Sequence, residues 1–335
     1  MKRVLGHLFA PAGLSRFLQR RFNTVLMRWL PRPVMQAYLG LLGRVYFFFS
    51  REEKKQIKQN LSAVILRFPK RPPLHLTLRR TFRGIYSHYY EKLLIAFAHL
   101  GRVCRFLLEQ VEFQGQHLID ESLSRGKGVI LVTGHFGAVG FLPLFLALKG
   151  YPITMVVRFK TQRLKEALVR RGSRVGITLL DANADEQVIF NALQALKSNQ
   201  ILVTECDEFK AWRPYRDRSI QFLGCSSPLD RTLDLFYRRY GSPVLFGLVY
   251  RQSRNRYKLR LHSLVDEAQN APAPTVSLAA LRLLEQYIYM APHQWYQWKQ
   301  VRTVLGDQLF QEARQTYATD ETPSLSLADP AMHVY

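Results

Sequence analysis

Four short apolar runs alternate with helical patterns between residues 128 and 204, and this alternation constrains the fold more than any other feature of the chain. The runs are GVILVT, ITMVV, GITLL and QILVT, at 128–133, 153–157, 176–180 and 200–204. Residues with helical spacing lie between them, near 137–149, 161–172 and 185–198. Strands that alternate with helices of about 10–15 residues are typical of βαβ units. The sequence therefore predicts an α/β fold built on a parallel sheet.

The strands expected after this region make the predicted sheet mixed. Three apolar segments are typical of strands, and the last two are close enough to form a hairpin: SIQFLG, SPVLFGLVY and RYKLRLHSL, at 219–224, 242–250 and 256–264. A helix is expected from about Thr275 to Met290. We therefore predict an α/β core over 108–305, with a mixed, largely parallel central sheet flanked by helices. The C-terminal extension, 306–335, ends in a stretch rich in Ser, Thr, Pro and Asp that is typical of disorder.

Residues 1–107 are predicted to form a helical region that associates with a membrane. The first acidic residue is Glu52, and all charged residues before it are Lys or Arg. Apolar residues from Leu14 to Leu30 recur at helical spacing, which is typical of a basic amphipathic helix on an anionic bilayer. A helix packed on the protein's own core and a transit peptide are the alternatives. The apolar segment Val34–Ser50 is shorter than the roughly 20 residues of a membrane span and contains Arg44, so we expect it to be interfacial or buried.

The charge of the chain is strongly basic. It carries 48 Lys and Arg residues against 25 Asp and Glu, a formal net charge of +23. This excess favours an anionic partner, which is nucleic acid, an anionic membrane or an acidic carrier protein. Nucleic acid is disfavoured, because the sequence has no zinc-ligand spacing, no RNP-like aromatic motif and no clear helix-turn-helix. The three cysteines form no C-x-x-C pair, which predicts neither a structural zinc site nor a disulfide framework and favours a reducing compartment.

Polar residues follow four of the predicted strands, at the edge where open α/β sheets bind ligands. They are Gly134-His135-Phe136-Gly137, then Arg158, then Asp181, and last Glu205, Asp207 and Glu208. His135 directly follows a buried strand and is flanked by glycines, which allow close backbone approach. A neutral imidazole there could take a proton from a hydroxyl as it attacks a thioester, so His135 is the candidate general base. The alternative is a histidine that only closes a strand–helix turn.

The remaining candidates each have a functional and a structural interpretation. Arg158 could clamp a phosphate or a carboxylate, or form a surface ion pair. Asp207 and Glu208 could orient the base or bind a headgroup, or they could be solvated acids. Asp181 is expected to cap the helix that follows it. The loop CDEFKAWRPYRDR, which contains Arg213, could be a lid or a headgroup site, or a solvated basic loop.

An ordered set of short motifs resembles one known family. The motifs are LP at 30–31, the pair Asn60-Leu61, FP at 68–69, GHFG at 134–137, Arg158 followed by Arg163-Leu164, FLG at 222–224 before a helix, SPVLFGLVYR at 242–251, and P-x-Q-W-x-x-W at 292–298. Over roughly 30–305 the chain is similar to the lipid A biosynthesis lauroyl/myristoyl acyltransferases, which are part of the lysophospholipid acyltransferase superfamily.

The resemblance implies transfer of a fatty acyl group from an acyl-carrier-protein or acyl-CoA thioester onto a hydroxyl of a lipid A precursor or a related glycolipid. It implies attachment to the cytoplasmic face of the bacterial inner membrane, either peripheral or through one N-terminal anchor. It implies acyl carrier protein as a partner, and no metal or cofactor beyond the donor. Substrate contacts are expected from Arg158, Arg163, Glu208, Arg213, Gly134, Phe136 and Gly137. A glycerolipid acyltransferase is the runner-up, although the E-G-T-R block of those relatives is replaced by TECDEF here.

One position departs from the family signature H-x-x-x-x-D/E. His135 matches the base, but Gly140 stands where the acid is expected. Three explanations are open: the enzyme is impaired and retains only lipid or carrier binding, another carboxylate such as Glu205 or Asp207 reaches His135, or the glycine is peculiar to this chain. Loss of an orienting acid can cost several powers of ten in rate, as the serine protease triad shows. The candidate catalytic residues are therefore His135, Asp207 and Glu205.

Overall fold

Eleven α-helices and four short 3-10 helices accompany the strands in the part of the chain that is described. The computed structural model describes residues 17–183, 187–253, 255–264 and 275–302, so residues 1–16 and the predicted extension 306–335 lie outside the described residues. The helices are α1 Arg21–Trp29, α2 Arg32–Phe49, α3 Arg51–Ile65, α4 Leu74–Phe97, α5 Leu100–Gln110, α6 Gln116–Ser124, α7 Phe141–Leu148, α8 Gln162–Gly172, α9 Val188–Lys197, α10 Thr232–Tyr240 and α11 Val276–Met290.

Seven of the nine described strands form one mixed sheet. The strands are β1 Val111–Gln114, β2 Val129–Thr133, β3 Ile153–Val157, β4 Ile177–Asp181, β5 Ile201–Glu205, β6 Pro214–Phe222, β7 Cys225–Asp230, β8 Val244–Ser253 and β9 Arg256–Ser263. The order in the main sheet is β1-β9-β8-β2-β5-β3-β4. Every neighbouring pair is parallel except β8 with β9, which form the expected antiparallel hairpin. The predicted mixed, largely parallel sheet is confirmed.

The central strands are recognisable in the sequence because they are covered on both faces. Strand β2 lies between β8 and β5, and each of its five residues is buried. Strands covered by helices on both sides are continuous apolar runs rather than alternating ones. The segment VILVT of β2 and the segment VLFGLV of β8 are runs of this kind, and both are buried throughout.

Strands β6 and β7 form a separate antiparallel hairpin beside the main sheet. Strand β6 extends the predicted segment 219–224 back to Pro214 and pairs with β7 alone. Leu223 and Gly224 make the turn with φ values of 54° and 75°, a left-handed conformation that favours glycine. Strand β7 follows the FLG segment at once, and the helix expected after that segment is α10, which begins at Thr232.

Asp181 does not cap a helix. It is the last residue of β4, whereas α9 begins at Val188. Its carboxylate pairs with Lys165 Nζ at 2.8 Å and accepts from the backbone N–H of Asn183 at 3.0 Å. The predicted capping role was therefore wrong, and the carboxylate instead ties β4 to helix α8.

The N-terminal helices pack on the α/β core. Leu18, Met35 and Leu61 belong to the same buried apolar cluster as the strands of the main sheet. Asn60 Nδ2 donates to the carbonyl of Trp298 at 2.7 Å, which joins helix α3 to the last described segment. None of the helices within the described ranges combines the length and the apolar character that crossing a membrane requires.

Candidate active site

The register of two parallel strands places His135 beside Asp207. Thr133 at the end of β2 pairs with Glu205 at the end of β5. Two residues beyond this pair, the chains reach His135 and Asp207. The imidazole Nδ1 lies 2.9 Å from Asp207 Oδ1, and the backbone N–H of His135 donates to both carboxylate oxygens at 3.0 Å. A histidine and a carboxylate that are distant in sequence thus meet at the carboxyl edge of the sheet.

Asp207 is fully buried and is held from several sides. Trp295 Nε1 donates to its Oδ2 at 2.8 Å, and Gln297 Nε2 donates to its backbone carbonyl at 3.3 Å. A carboxylate that already accepts from an indole and a backbone N–H accepts from the imidazole as well. In the neutral imidazole the hydrogen is therefore on Nδ1, and the lone pair of Nε2 points away from Asp207.

Two further carboxylates face Nε2 of His135. Glu205 Oε2 lies 3.5 Å from it, and Glu208 Oε2 lies 3.8 Å from it. Burial alone would lower the pKa of His135, but Glu205, Asp207 and Glu208 raise that pKa to about 9. Burial also raises the pKa of Glu205, against the opposing effect of the imidazolium. The cluster therefore retains a proton at neutral pH.

The same cluster has the ligand types of a metal site. One ligand atom each from His135, Glu205 and Glu208 lies within 4.8 Å of the other two. Asp207 behind the imidazole matches the carboxylate–histidine arrangement that supports metal ligands. A cation bound there would occupy the Nε2 lone pair that proton abstraction requires. Metal binding and base catalysis by His135 therefore exclude each other.

His135 opens into a cavity of about 270 Å³. Polar and charged residues line one part of it, among them His88, Lys92, Arg158, Lys160, Glu205, Glu208 and Tyr296. Apolar residues and one glycine line the other part, which we name the apolar slot: Ile95, Val139, Gly140, Pro143, Leu144, Met155, Val157, Leu168, Val175, Ile177 and Leu179. The apolar part suits a hydrocarbon chain and the polar part suits a polar reacting group, and both parts belong to the same cavity.

Lys92 is a partly buried cation in the polar part of the cavity. Burial and the neighbouring Lys160 lower its pKa to about 8, whereas Glu205 opposes this shift. Arg158 and Lys160 line the same part of the cavity and are exposed. Three cationic side chains thus border the space in front of His135, which suits a substrate that carries an anionic group.

Gly140 lies at the start of helix α7 and lines the apolar slot. Its φ of −62° and ψ of −20° are open to any residue, so the backbone does not require glycine there. A Cβ at this position would lie 3.2 Å from Ile95 Cδ1. The carboxylate at Nδ1 of His135 comes from Asp207 instead of position 140, and the position that the family signature gives to an acid is part of an apolar wall.

Two predicted arginines lie away from the cavity lining. Arg163 donates to Thr24 Oγ1 at 2.6 Å and lies over the ring of Phe97, so it joins helix α8 to the N-terminal helices. Arg213 is exposed, and its backbone N–H donates to Asp230 at 2.7 Å at the base of the β6–β7 hairpin. Of the predicted substrate contacts, Arg158 and Glu208 line the cavity.

The other residues of the GHFG segment shape the loop that carries His135. Phe136 is buried and packs edge-on against Tyr287 at 5.9 Å between ring centroids. Gly137 has a φ of +60°, and a Cβ there would lie 2.2 Å from the carbonyl oxygen of Val249. A Cβ at Gly134 would lie 2.9 Å from a methyl group of Leu284. The two glycines let the loop pass close to β8 and α11.

Three supports of this loop had no predicted role. Trp295 and Gln297 hold Asp207, and both lie in the P-x-Q-W-x-x-W motif. Arg251, which ends the SPVLFGLVYR motif, donates to the carbonyl of Gly137 at 2.8 Å and forms two hydrogen bonds with Glu91 at 2.6 Å. Both motifs belong to the set that resembles the family, so the resemblance could have indicated Trp295, Gln297 and Arg251 as supporting residues. No motif in the sequence indicated Glu91.

A histidine–carboxylate pair lies at the carboxyl ends of the parallel strands β2 and β5, next to a slot for a hydrocarbon chain, and this arrangement is suited to acyl transfer. The model of the bacterial lipid A biosynthesis acyltransferases matches residues 17–302, and the chain belongs to this family. No curated protein matches the chain. The family resemblance in the sequence is confirmed, and the protein is an acyltransferase of the lipid A biosynthesis type.

Proposed function

We propose that the protein transfers a fatty acyl group from an acyl-carrier-protein or acyl-CoA thioester onto a hydroxyl of a lipid A precursor or related glycolipid, with His135 as general base. The observation that carries the proposal is the pair His135–Asp207, whose Nε2 opens into a cavity with an apolar slot. The imidazole meets the acceptor hydroxyl in the polar part, and the acyl chain lies in the slot.

The reaction follows from the lone pair on Nε2. Neutral His135 removes the proton of the acceptor hydroxyl while that oxygen attacks the thioester carbonyl carbon. The tetrahedral intermediate collapses, the carbon–sulfur bond breaks, and the thiolate takes the proton from the imidazolium. Asp207 is a positioning residue, because its bond to Nδ1 fixes the tautomer and stabilises the imidazolium. Glu205 and Glu208 face the other ring nitrogen, Nε2, and add to the stabilisation of the imidazolium.

We take Asp207 as the replacement for the acid that is missing at position 140. It lies within hydrogen-bond distance of Nδ1, is fully buried and is itself held by Trp295. A side chain at position 140 would begin 3.2 Å from Ile95 Cδ1, and an acid there would add a charge to the wall of the apolar slot. This favours an active enzyme over an impaired relative that only binds lipid or carrier.

We further propose that the enzyme works on an anionic membrane surface, at the cytoplasmic face of the bacterial inner membrane. Exposed apolar residues recur on single faces of the first two helices: Phe22, Val25 and Trp29 on α1, and Val34, Leu41 and Phe48 on α2. Exposed arginines lie among them: Arg21, Arg28, Arg32 and Arg44. Apolar anchors with basic neighbours suit an anionic interface, and the net charge of +23 suits an acidic carrier protein.

The test is a comparison of lipid extracts by mass spectrometry, from cells that express the full chain, His135→Ala, Gly140→Glu or no added protein. We expect a glycolipid species that gains one acyl unit with the unmodified chain only, and a loss of at least about a hundredfold in that product with His135→Ala. We expect Gly140→Glu to give less product than the unmodified chain.

The opposite result defines the impaired relative. If the unmodified chain gives no new lipid and Gly140→Glu gives a large amount, the glycine has disabled the enzyme and Asp207 does not replace the missing acid. Gly101→Glu is the matched control, because Gly101 is exposed on helix α5 and the same charge is added away from the cavity.

A further inference from the structure

The apolar slot runs along one face of the main sheet. Met155 and Val157 alternate along β3, and Ile177 and Leu179 alternate along β4, so all four side chains are on the same side of the sheet. The register pairs Met155 with Leu179 and Ile153 with Ile177, so the two strands form a continuous wall. The slot therefore has a direction, from the carboxyl edge of the strands toward their amino ends.

Two helices form the opposite walls. Val139, Gly140, Pro143 and Leu144 lie at the start of helix α7, at spacings that place them on one face. Leu168 lines the slot from helix α8, and Arg171 and Gly172, three and four residues further on, line the same cavity from that helix. Helix α8 connects the end of β3 to the start of β4, so its last turn lies at the amino end of β4.

Arg171 is consequently at the far end of the slot from His135. His135 lies just beyond the carboxyl edge, whereas Ile177 is the first residue of β4. The five residues from Ile177 to Asp181 span four steps, which rise by about 13 Å along the strand. A chain that enters beside His135 and follows the sheet face reaches Arg171 only after about this length.

The guanidinium of Arg171 is fixed at that position. It donates to the carbonyl of Ile95 at 2.6 Å and to the carbonyl of Ala98, both at the C-terminal end of helix α4. A cation there also offsets the negative end of the helix dipole. Burial and the neighbouring Arg170 lower the pKa of Arg171 to about 10, so it remains charged at neutral pH. Among the residues that the structure describes, no carboxylate forms an ion pair with Arg171.

We infer that Arg171 closes the deep end of the apolar slot and sets the longest acyl chain that the enzyme accepts. The inference rests on the proposed acyl transfer, and it names a specificity-determining residue for that reaction. A terminal methyl group that reaches the guanidinium meets a charged group whose hydrogen bonds hold two helices together. A longer chain would have to break these bonds or bend, and either change costs binding energy.

The test is calorimetric binding of S-alkyl coenzyme A thioethers, which cannot react, from decyl through dodecyl, tetradecyl and hexadecyl to octadecyl. With the full chain we expect affinity to rise with each added pair of methylenes up to a certain chain length and to fall beyond it. We call this chain length the break. Arg171→Ala should move the break to longer chains. For the first probe past the original break, affinity should rise by about tenfold relative to the unmodified protein.

Arg170→Ala is the matched control. Arg170 is the exposed neighbour on the same helix and does not line the cavity. This change removes the same charge, so the break should stay where it is. Should Arg171→Ala not fold, Val175→Phe serves as the second variant, because Val175 lines the deep end and added bulk there should move the break to shorter chains.

The outcomes separate the two proposals. A break that stays in place with a folded Arg171→Ala, an affinity that rises without a break, or no binding of any probe by the unmodified chain would each overturn the role of Arg171. If cells that express the chain still gain an acylated lipid, the proposed acyl transfer stands, and only the role of Arg171 is excluded. If probes bind with a break that Arg171→Ala moves while no lipid is acylated, the slot is correctly assigned and the transfer is not.

Discussion

Asp207 and His135 show how a single hydrogen bond can decide the chemistry of a site. The bond from Nδ1 to Oδ1 is 2.9 Å long, and it leaves Nε2 as the one ring nitrogen that faces the cavity. Because three carboxylates raise the pKa of His135 to about 9, the imidazole is largely protonated at pH 7. Only the neutral form can accept a proton, so the rate should depend on pH through this residue.

We predict that kcat/KM of the unmodified enzyme rises with pH, reaches half of its plateau near pH 9 and levels off above that, since this profile reports the pKa of the base in the free enzyme. Asp207→Asn removes one of the charges that raise this pKa, so the rising limb should move to lower pH. The plateau should fall by about 10²–10⁴-fold, because an amide can stabilise the wrong tautomer. The measurement is a pH profile of transfer with both proteins. A lower plateau with an unmoved limb would mean that Asp207 only supports the fold.

The sequence predicted His135 and Asp207 as neighbours because both follow strands that end at the same edge of a parallel sheet. It did not predict which of Asp207 and Glu205 would reach Nδ1, since that depends on side-chain direction after the strand ends. The sequence also did not predict the residues that hold Asp207 in place. Trp295 is 88 residues from Asp207 in sequence, and a contact of that range leaves no periodic signal in the chain.

At the scale of elements, the site depends on how helix α4 packs against the last described segment. The ring of His88 stacks on that of Tyr296 with centroids 3.7 Å apart, and Tyr296 in turn lies edge-on to His135. Burial lowers the pKa of His88 well below its usual value, and the nearby Lys92 and Arg251 lower it further. His88 is therefore neutral in the folded protein where the unfolded chain would protonate it.

This linkage predicts a loss of stability in mild acid. The folded pKa lies below the unfolded value of 6.5, so the stabilising contribution of neutral His88 is complete above about pH 7 and is lost progressively as pH falls from 6.5 toward the folded pKa. Between pH 7.5 and pH 5.5, His88 should cost up to about 1.4 kcal/mol of unfolding free energy. His88→Phe keeps an aromatic stack and should reduce the pH dependence by that amount in urea unfolding. His75→Phe, exposed on the same helix, should leave it unchanged; an equal reduction in both variants would exclude His88 as the cause.

Elements were predictable where burial gives them a simple pattern. The four apolar runs between 128 and 204 gave β2 to β5 to within one residue at each end, because strands inside a covered parallel sheet have no polar face. The hairpin of β6 and β7 was only half predicted. Strand β6 is mostly exposed, and its sequence PYRDRSIQF lacks a clear alternation of apolar and polar residues. Strand β7 contains Pro228 in an edge hairpin, where proline is tolerated but weakens the strand pattern.

At the scale of the whole molecule, basic residues and exposed apolar side chains occur together on the N-terminal helices. Phe22, Val25 and Trp29 are 67%, 55% and 75% exposed, which is unusual for residues of this size on one face of a helix. The sequence predicted a basic amphipathic helix here but could not decide between a bilayer and the protein's own core. The fold places Met27 of α1 inside the core and leaves the other face uncovered by the described residues. Helix α1 thus packs on the core with one face and leaves its other face exposed.

We therefore predict that the full chain binds vesicles that contain anionic phospholipid, and that binding weakens as salt is raised, since basic residues contribute roughly 1 kcal/mol each near such a surface. Replacing Phe22, Val25 and Trp29 by serine should lower the partition coefficient by at least about tenfold, because their apolar area no longer enters the interface. Ile189→Ser with Phe190→Ser is the control, since these residues are similarly exposed on helix α9. Cosedimentation with vesicles of stated lipid composition measures both. If the control loses as much binding as the triple variant, membrane contact is not confined to helix α1, and the proposed orientation of the active site at the bilayer fails.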